Sequence, residues 1–357
     1  MNILIDKLAG EQSLTRCEWT ELIENRSQAE TEYLFAKARV ERERFYGKDV
    51  YLRGLIEFSS CCRNDCFYCG LRALNRRAQR YRLTKDEILE CCKTGYELDF
   101  RTFVLQSGED PYFSDEVMVG VISDIRTSYP DCAITLSTGE KSRESYQKYF
   151  DAGADRYLLR HETANPEHYA QLHPTALSLE NRKRCLQDLK EIGYQVGAGF
   201  MVGSPGQTAQ YLADDMLFLK ELNPQMVGIG PFIPHRDTPF GNQPQGTLEL
   251  TLFMLACLRL MLPKTLLPAT TALATISPNG RELGIMAGAN VIMPNLSPKT
   301  VREKYLPYDG KICTGDEAAE SCQRIRRQIE NIGYNLPVSR GDCAGFGMTK
   351  NIISLGK

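Results

Sequence analysis

The strongest fold signal in this sequence is a regular alternation, from residue 51 onward, of short β-rich runs with charged segments of helical periodicity. Strands and helices that alternate in this way form a parallel sheet with right-handed crossovers. Eight such units close a barrel, so the sequence predicts an α/β fold with a complete (β/α)8 TIM barrel. An open barrel of six units is the alternative, because Pro268 and Pro294 weaken the last two predicted strands. The predicted strands span residues 51–58, 101–106, 132–137, 155–160, 195–200, 225–230, 266–272 and 289–293.

The segments between these strands are predicted helices. Thr84 and Glu87 have the spacing of a capping box, which predicts that a helix begins there. Before the alternation, residues 28–47 predict an amphipathic helix, and after it the tail holds one predicted helix, 315–332. The other predicted helices are 84–96, 114–127, 140–151, 179–192, 207–222 and 247–262. The chain is thus predicted to comprise a helical extension (1–50), a barrel (51–309) and a C-terminal extension (310–357).

The composition argues against several classes of protein. The 43 basic and 45 acidic residues nearly balance, which indicates neither nucleic acid nor an anionic membrane as a partner. No apolar run approaches the roughly 20 residues of a membrane span. The N-terminus lacks a signal-peptide pattern, so we expect a cytoplasmic protein. In that compartment the 13 cysteines are predicted to be metal ligands and buried small side chains rather than disulfides.

Three cysteines, Cys62, Cys66 and Cys69, follow the first predicted strand with the spacing C-x₃-C-x₂-C. They lie at the C-terminal rim of the predicted barrel, where the active sites of such barrels occur. Three thiolates leave one iron of a cubane without a protein ligand, whereas an electron-transfer ferredoxin normally supplies a fourth cysteine. A zinc site is the alternative, but zinc usually takes four ligands in two pairs. We therefore predict a [4Fe–4S] cluster with one open iron, and Cys61 as a bystander.

The triad and the strand ends after it resemble the radical S-adenosylmethionine superfamily. In that superfamily the methionine part of S-adenosylmethionine chelates the open iron, and one electron splits the cofactor into a 5′-deoxyadenosyl radical. The resemblance implies that the turn at Gly108 and Glu109 meets the methionine amino group. A carboxylate at the fourth strand end, Glu162, can accept hydrogen bonds from the ribose hydroxyls. The implied cofactor-binding residues are Tyr68, Ser107, Gly108, Glu109, Ser137, Arg160, Glu162, Arg182, Met201 and Pro231.

Longer strings resemble one family within that superfamily, the [FeFe]-hydrogenase maturase HydE. They include Val104–Tyr112, Arg156–Pro166 and Val227–His235, and the resemblance runs from about residue 30 to 315. It implies a complete barrel that remodels a cysteine–Fe(CO)₂CN synthon from the maturase HydG, passes the product toward the scaffold HydF, and requires an electron donor. By family position the substrate pocket includes Arg53, Gln106, Thr135, Arg160, Thr270, Thr271 and Tyr305.

Three other functions are weighed against this one. A methylornithine synthase is a barrel relative that would need a site for the ammonium group of a free amino acid. Biotin synthase is more remote, because the strands here lack cysteines for its second cluster. A non-catalytic iron–sulfur carrier would explain the triad but not Glu109 and Glu162. Some maturases carry an accessory cluster on three tail cysteines, but only Cys313 and Cys322 lie in that region, so we predict none.

Overall fold

The computed structural model describes residues 2–312 and 318–346. Three helices precede the sheet: α1 (Asn2–Glu11), α2 (Arg16–Glu24) and α3 (Gln28–Tyr46). Capping boxes at Thr15 and Ser27 open α2 and α3, because each side chain and the glutamate three residues later satisfy backbone N–H groups reciprocally. The predicted helix over 28–47 is therefore confirmed as α3. Cys313 lies outside the described residues, so the absence of an accessory cluster stays a prediction.

The described residues form ten parallel strands: β1 (Tyr51–Leu52), β2 (Gly54–Ser59), β3 (Thr102–Ser107), β4 (Ala133–Ser137), β5 (Arg156–Leu158), β6 (Gln195–Ala198), β7 (Met201–Val202), β8 (Met226–Val227), β9 (Gly230–Pro231) and β10 (Val291–Ile292). Six of them form a sheet at the centre of the molecule, with the order β2-β3-β4-β5-β6-β8. Two short parallel pairs, β1 with β10 and β7 with β9, extend it. Each of the first six predicted strands overlaps at least one observed strand.

Helices cover the outer face of this sheet and connect its strands. The predicted capping box at Thr84 is confirmed. Its side chain accepts from the Glu87 N–H, and the Glu87 carboxylate accepts from the Thr84 N–H. The N-terminal helices pack on this layer, with α2 against the helix Ala209–Leu222 and α3 against the helix Leu248–Met261. These later helices are α4 (Lys85–Glu97), α5 (Asp115–Ser128), α6 (Arg143–Asp151), α7 (Pro166–Leu172), α8 (Leu179–Ile192), α9 (Ala209–Leu222), α10 (Leu248–Met261), α11 (Thr271–Ile276), α12 (Gly280–Met286), α13 (Lys299–Arg302) and α14 (Ala318–Asn331).

The last two predicted strands are shorter than expected. The run 266–272 forms only single bridges, Leu266 with Met226 and Pro268 with Val291. Pro268 has no N–H to extend a ladder, and Thr270 caps α11, so the strand prediction was wrong beyond residue 269. β10 pairs with β1, and a further bridge joins Leu55 to Asn295. The fold is therefore an α/β fold with a parallel, TIM-barrel-like sheet.

The two faces of the sheet differ in polarity. Side chains alternate along a strand, so residues next to core-facing ones point to the opposite, inner face. The outward residues belong to the hydrophobic core under the helices: Ile56, Phe58, Phe103, Leu105, Ile134, Leu136, Tyr157 and Val196. The inward residues are largely polar: Glu57, Gln106, Thr135, Ser137, Arg156 and Gln195. A packed TIM-barrel interior is filled by branched apolar side chains, so this polar face is suited to a polar ligand.

The C-terminal segment packs across the N-terminal ends of the strands. Arg156 opens β5 and donates to the carbonyl oxygens of Arg340 (2.7 Å) and Gly341 (3.1 Å) and to the Asp342 carboxylate (2.6 Å). A Cβ on Gly341, whose φ is 55°, would lie 2.6 Å from the Tyr51 ring, so this close approach requires glycine. The tail thus covers the end of the sheet opposite the cysteine loop. No helix of the described residues is long and apolar enough to cross a membrane.

Candidate active site

The loop between β2 and α4 carries the three cysteines, and its own charged side chains hold it together. Arg80 donates to the carbonyl oxygens of Ser60 (2.5 Å), Leu71 (2.9 Å) and Arg72 (2.7 Å) and thereby joins the two ends of the loop. Asp65 forms a two-point ion pair with Arg72, with 2.6 Å from Nε to Oδ1. The sequence did not single out Arg80, because its role depends on carbonyl groups up to 20 residues away.

The three thiols of this loop are half-buried, and their partial removal from water disfavours the charged form. Burial raises the pKa of Cys69 to about 12 and also raises the pKa values of Cys62 and Cys66. The charges of Cys62 and Cys69 further raise the pKa of Cys66, and the charge of Cys62 further raises the pKa of Cys69. Thiolates are the form that binds iron, so a positively charged metal group is needed to hold all three deprotonated here.

The number of these thiols fits a cluster better than a zinc ion. A structural zinc ion usually takes four ligands. An iron–sulfur cubane binds each cysteine through a different iron, and one iron can stay without a protein ligand. The donor set is therefore compatible with three irons of a cubane.

The turn after β3 lies directly against the cysteine loop. The Gly108 N–H donates to Ser59 O (3.2 Å), and the Arg63 N–H donates to Glu109 O (2.9 Å). A Cβ on Gly108 would lie 2.3 Å from the Cys61 carbonyl oxygen, so only glycine permits this approach. The Glu109 carboxylate accepts from the Glu140 N–H (2.8 Å) and from Arg63 Nε (3.2 Å). Residues 107–109 thus lie beside the triad, as the sequence predicts.

Glu162 combines backbone strain with a buried carboxylate that is paired with Arg160. Its φ is 67°, in the left-handed region that non-glycine residues rarely adopt. The carboxylate Oε2 is buried and has no hydrogen-bond partner among the described residues, although Arg160 Nη2 lies 3.1 Å away. Buried polar atoms normally have a partner, so this oxygen has the capacity to accept a bond from a ligand hydroxyl.

A buried pair behind Glu162 fixes both of its flanks. The Gly199 N–H donates to His161 Nδ1 (3.3 Å), which leaves the ring proton on Nε2, 3.2 Å from Asp215 Oδ1. The same carboxylate oxygen accepts from the Ala164 N–H (2.5 Å). Burial holds the pKa of His161 well below its usual range, so the pair is a hydrogen bond between buried groups rather than a salt bridge. The sequence analysis assigned no role to His161 or to Asp215.

Arg182 reaches the same region from α8, but it already has an acidic partner. Its Nε lies 2.5 Å from Glu140 Oε1, and its Nη1 donates to Arg160 O (3.1 Å). Burial lowers the pKa of Arg182, but the charges of Glu140, Tyr169, Tyr68 and Glu109 together raise it more, and the net shift is upward. Glu140 lies in the loop just after β4. A carboxylate so close to the end of a strand is the sequence signal that could have identified Glu140 as a site residue.

An apolar wall completes this end of the sheet. Met201 packs with Leu172 and Phe232, and Tyr68 lies against them. The Tyr68 hydroxyl is 3.2 Å from His173 Nε2. Pro231 pairs in register with Val202, next to Met201. Three of the predicted cofactor residues, Tyr68, Met201 and Pro231, therefore lie together, and Leu172 and His173 come from α7 and its C-cap, which the sequence did not predict.

The predicted substrate residues do not form one cluster but span the depth of the barrel-like sheet. Gln106 Nε2 donates to the Tyr305 hydroxyl (3.2 Å) near the strand ends, and Thr270 caps α11. Thr135 lies two residues before the end of β4, deeper in the sheet than Gln106. Its buried hydroxyl has no hydrogen-bond partner among the described residues. Arg53 lies farther from the triad, where it donates to Met226 Sδ (3.0 Å) and Gly341 O (3.4 Å). Only part of this set is therefore near the cysteines.

The sequence analysis did not predict two charged side chains on the inner face of the sheet, Lys311 and Arg156. Lys311, from the C-terminal extension, pairs with Glu57 Oε1 (2.6 Å) and donates to Tyr305 O (2.9 Å). Both charged side chains are almost fully buried. Arg156 is in register with Thr135, and its charge lowers the pKa of Arg53 after the larger effect of burial. Lys311 follows the repeat, so strand and helix periodicity did not place it inside.

Comparison with known proteins agrees with this site. The Radical SAM superfamily model matches residues 56–219, which contain the triad, Glu109 and Glu162. The fold and the site therefore define a radical SAM enzyme. The chain is 49% identical over 302 residues to the [FeFe] hydrogenase maturase subunit HydE of Thermotoga maritima, covering 85% of this chain and 86% of that protein. The chain belongs to this maturase family.

Other relatives are more distant. The 3-methylornithine synthase of Methanosarcina barkeri is 30% identical over 340 residues, covering 94% of both chains. The crystal structure of a methylornithine synthase matches with a TM-score of 0.78 at 27% identity, covering 94% of this chain and 97% of that one. A structure of HydG, a maturase of the [FeFe]-hydrogenase, also has a TM-score of 0.78, covering 93% of this chain and 74% of that one. Its 20% identity supports only the shared fold.

Proposed function

We propose that this enzyme binds a [4Fe–4S] cluster through Cys62, Cys66 and Cys69, cleaves S-adenosylmethionine reductively, and remodels a cysteine-bound Fe(CO)₂CN synthon for the hydrogenase H-cluster. The observation that carries the proposal is the 49% identity to HydE over most of both chains. The identity to the methylornithine synthase is much lower, 30%.

The cofactor would be held by groups that meet at the C-terminal ends of the strands. When bound, the cluster would supply the electron for cleavage of the sulfonium bond of S-adenosylmethionine. The buried Glu162 carboxylate would accept hydrogen bonds from the ribose hydroxyls. The Ser107–Glu109 turn borders the cysteine loop, where the methionine part would lie. Arg160, Arg182 and Ser137 would orient the polar end of the cofactor, and Tyr68, Met201 and Pro231 would cover the adenine.

The substrate would occupy the polar inner face of a complete eight-stranded barrel. The bridges at Leu266, Pro268 and Leu55 support closure of that barrel. Among the described residues, buried Arg53 has a sulfur and a carbonyl oxygen as its hydrogen-bond partners, and its positive charge is suited to an anionic substrate. Gln106, Thr135, Arg160, Thr270, Thr271 and Tyr305 supply the hydroxyl, amide and guanidinium donors that would orient such a substrate.

Family membership also suggests the partners. HydG would deliver the synthon and HydF would receive the product, while an electron donor would reduce the cluster. A methylornithine synthase activity is the second candidate, favoured by the TM-score of 0.78. Such an activity needs an acceptor for a substrate ammonium group. The inward carboxylate of Glu57 is already paired with Lys311 and Asn295, which weighs against this candidate.

The enzymatic reaction can be tested with purified protein. The enzyme would be reconstituted without oxygen, reduced with dithionite, and mixed with S-adenosylmethionine and either L-lysine or the cysteine-bound synthon. We expect 5′-deoxyadenosine to form, with no methylornithine from lysine. A fully loaded cluster that yields no 5′-deoxyadenosine would remove the enzyme assignment, and methylornithine would favour the second candidate.

A further inference from the structure

A cationic surface surrounds the cysteine loop. The segment 63–82 contains six arginines and one carboxylate, in a chain whose net charge is −2. We define the arginine rim as Arg63, Arg76, Arg77, Arg82 and Arg236, all of which are exposed. None of these side chains belongs to the cofactor or substrate residues described above, so the proposed chemistry does not account for them.

Ion pairs in the rim place the cations outside and the carboxylates beneath. The Arg77 side chain is 82% exposed, whereas its partner Asp237 is 18% exposed. Arg82 is 44% exposed above Asp110, which is 1% exposed. Arg63 and Arg236 cover Glu109 and Asp309 in the same way. A protein that approaches this face therefore meets guanidinium groups first.

The rim is one continuous surface. The Arg77–Asp237 pair brings the cysteine loop to Arg236, and Glu109 and Asp110, the partners of Arg63 and Arg82, are adjacent in the chain. Two exposed apolar side chains lie within it, Leu74 (68% exposed) and Tyr112 (62% exposed). Charged groups around a few exposed apolar side chains are typical of a transient protein interface.

We propose that the arginine rim is the docking surface for a small acidic electron-transfer protein. This proposal rests on the proposed function, because a cluster on the triad must receive one electron for each cleavage. The donor loses one electron and the cluster gains it, passing from the 2+ to the 1+ state, with no atom transferred. The cysteine loop itself carries most of the rim, so a donor bound there lies next to the cluster. The opposite end of the sheet is covered by residues 340–342.

Charge reversal in the rim tests this proposal. The variant is Arg76→Glu/Arg77→Glu in the full-length, cluster-loaded enzyme, and the probe is an acidic flavodoxin. Binding of the oxidised flavodoxin is measured by calorimetry, and reduction of the cluster by the reduced flavodoxin is followed by its absorbance. At low ionic strength we expect both affinity and rate to fall on the order of ten-fold or more. The difference should shrink at high salt because the charges are screened.

The matched control is Arg44→Glu/Lys93→Glu, which changes the net charge equally. Both residues are exposed near the ends of α3 and α4, at the N-terminal side of the sheet. We expect the control to bind flavodoxin, and to be reduced by it, as the wild type is. We also expect every variant to form 5′-deoxyadenosine with dithionite as the wild type does. Equal flavodoxin affinities for the rim variant and the control would overturn the proposal. The proposal would also fail if flavodoxin neither bound nor reduced the wild-type enzyme. A rim variant that also loses dithionite-driven activity would show a structural role instead. Loss of dithionite-driven product in the wild type would instead refute the proposed function.

Discussion

At Glu162, a single residue combines an uncommon backbone conformation with a buried carboxylate. A left-handed φ of 67° costs of order 1 kcal/mol or more for a non-glycine residue, and the surrounding hydrogen bonds must offset that cost. Its N–H donates to Gly199 O (3.0 Å), and its carbonyl accepts from the Met201 N–H (3.3 Å). These two bonds fix the backbone, so the carboxylate is held in place before any ligand arrives.

Replacing this carboxylate tests its role in binding S-adenosylmethionine. The change Glu162→Gln keeps the shape but removes the charge that strengthens a bond to a hydroxyl. We expect the affinity for S-adenosylmethionine to fall roughly 10- to 100-fold, or about 1.5–3 kcal/mol. Equilibrium dialysis on the cluster-loaded protein measures it. Unchanged affinity would exclude Glu162 from the cofactor site.

The close approach at Gly108 gives a second prediction at the residue scale. In Gly108→Ala the new Cβ would meet the Cys61 carbonyl oxygen at 2.3 Å, so the cysteine loop must move. We expect the iron and sulfide content after reconstitution to fall severalfold. The matched control is Gly120→Ala in α5, where a Cβ meets nothing within 4 Å, and where alanine stabilises a helix by up to about 1 kcal/mol. Full cluster content in Gly108→Ala would contradict this account.

At the scale of elements, helices and tail segments position groups that they do not themselves contain. Asp215 lies on α9, yet it holds His161 and Ala164 on either side of Glu162. Asp342 lies in the tail, yet it neutralises Arg156 at the start of β5. Both contacts join segments far apart in sequence. They therefore couple the packing of the outer elements to the geometry of the inner face.

The α9 contact predicts an effect on the cofactor through Glu162. In Asp215→Ala the flanks of Glu162 lose their acceptor, so we expect weaker S-adenosylmethionine binding, by about ten-fold, along with some loss of stability. Asp215→Asn keeps an acceptor oxygen and should restore most of the affinity. The neighbour Asp214→Ala is the control, because Asp214 bonds Arg16 and Asn165 instead. Equal affinities for Asp215→Ala and Asp214→Ala would remove the positioning role.

The tail contact predicts a pH-dependent stability. Burial raises the pKa of Asp342, but the Arg156 charge and the bonds from Gln195 and Arg340 lower it more, to well below the usual range. A lowered carboxyl pKa stabilises the fold above the unfolded pKa of about 3.9, and this contribution is lost as the pH falls. We expect Asp342→Asn to cost about 1 kcal/mol at pH 7, after allowance for solvent screening, and progressively less below about pH 4. Urea unfolding at several pH values measures it, and a cost independent of pH would contradict this explanation.

For the whole molecule, local patterns predicted most of the longer helices, most of the strands and the position of the cysteine loop after a strand, but not short helices such as α7 or the long-range contacts. The alternation of elements located the six-stranded sheet because each strand and helix has its own periodicity. It failed at 266–272 because a proline and a helix cap interrupt the strand. Glu140 and Lys311 were missed because their roles depend on partners 42 and 254 positions away, Arg182 and Glu57. The division of the chain at residues 50 and 309 stays a prediction.

The most direct test of the central claim is hydrogenase activity in cells that make an [FeFe]-hydrogenase and lack this gene. We predict that hydrogen evolution is lost, returns when the wild-type gene is supplied, and does not return with Cys66→Ala. The hydrogenase polypeptide should accumulate normally in all three strains, because only its metal centre is affected. Unchanged hydrogen evolution in the deletion strain would contradict the assignment of this enzyme to hydrogenase maturation.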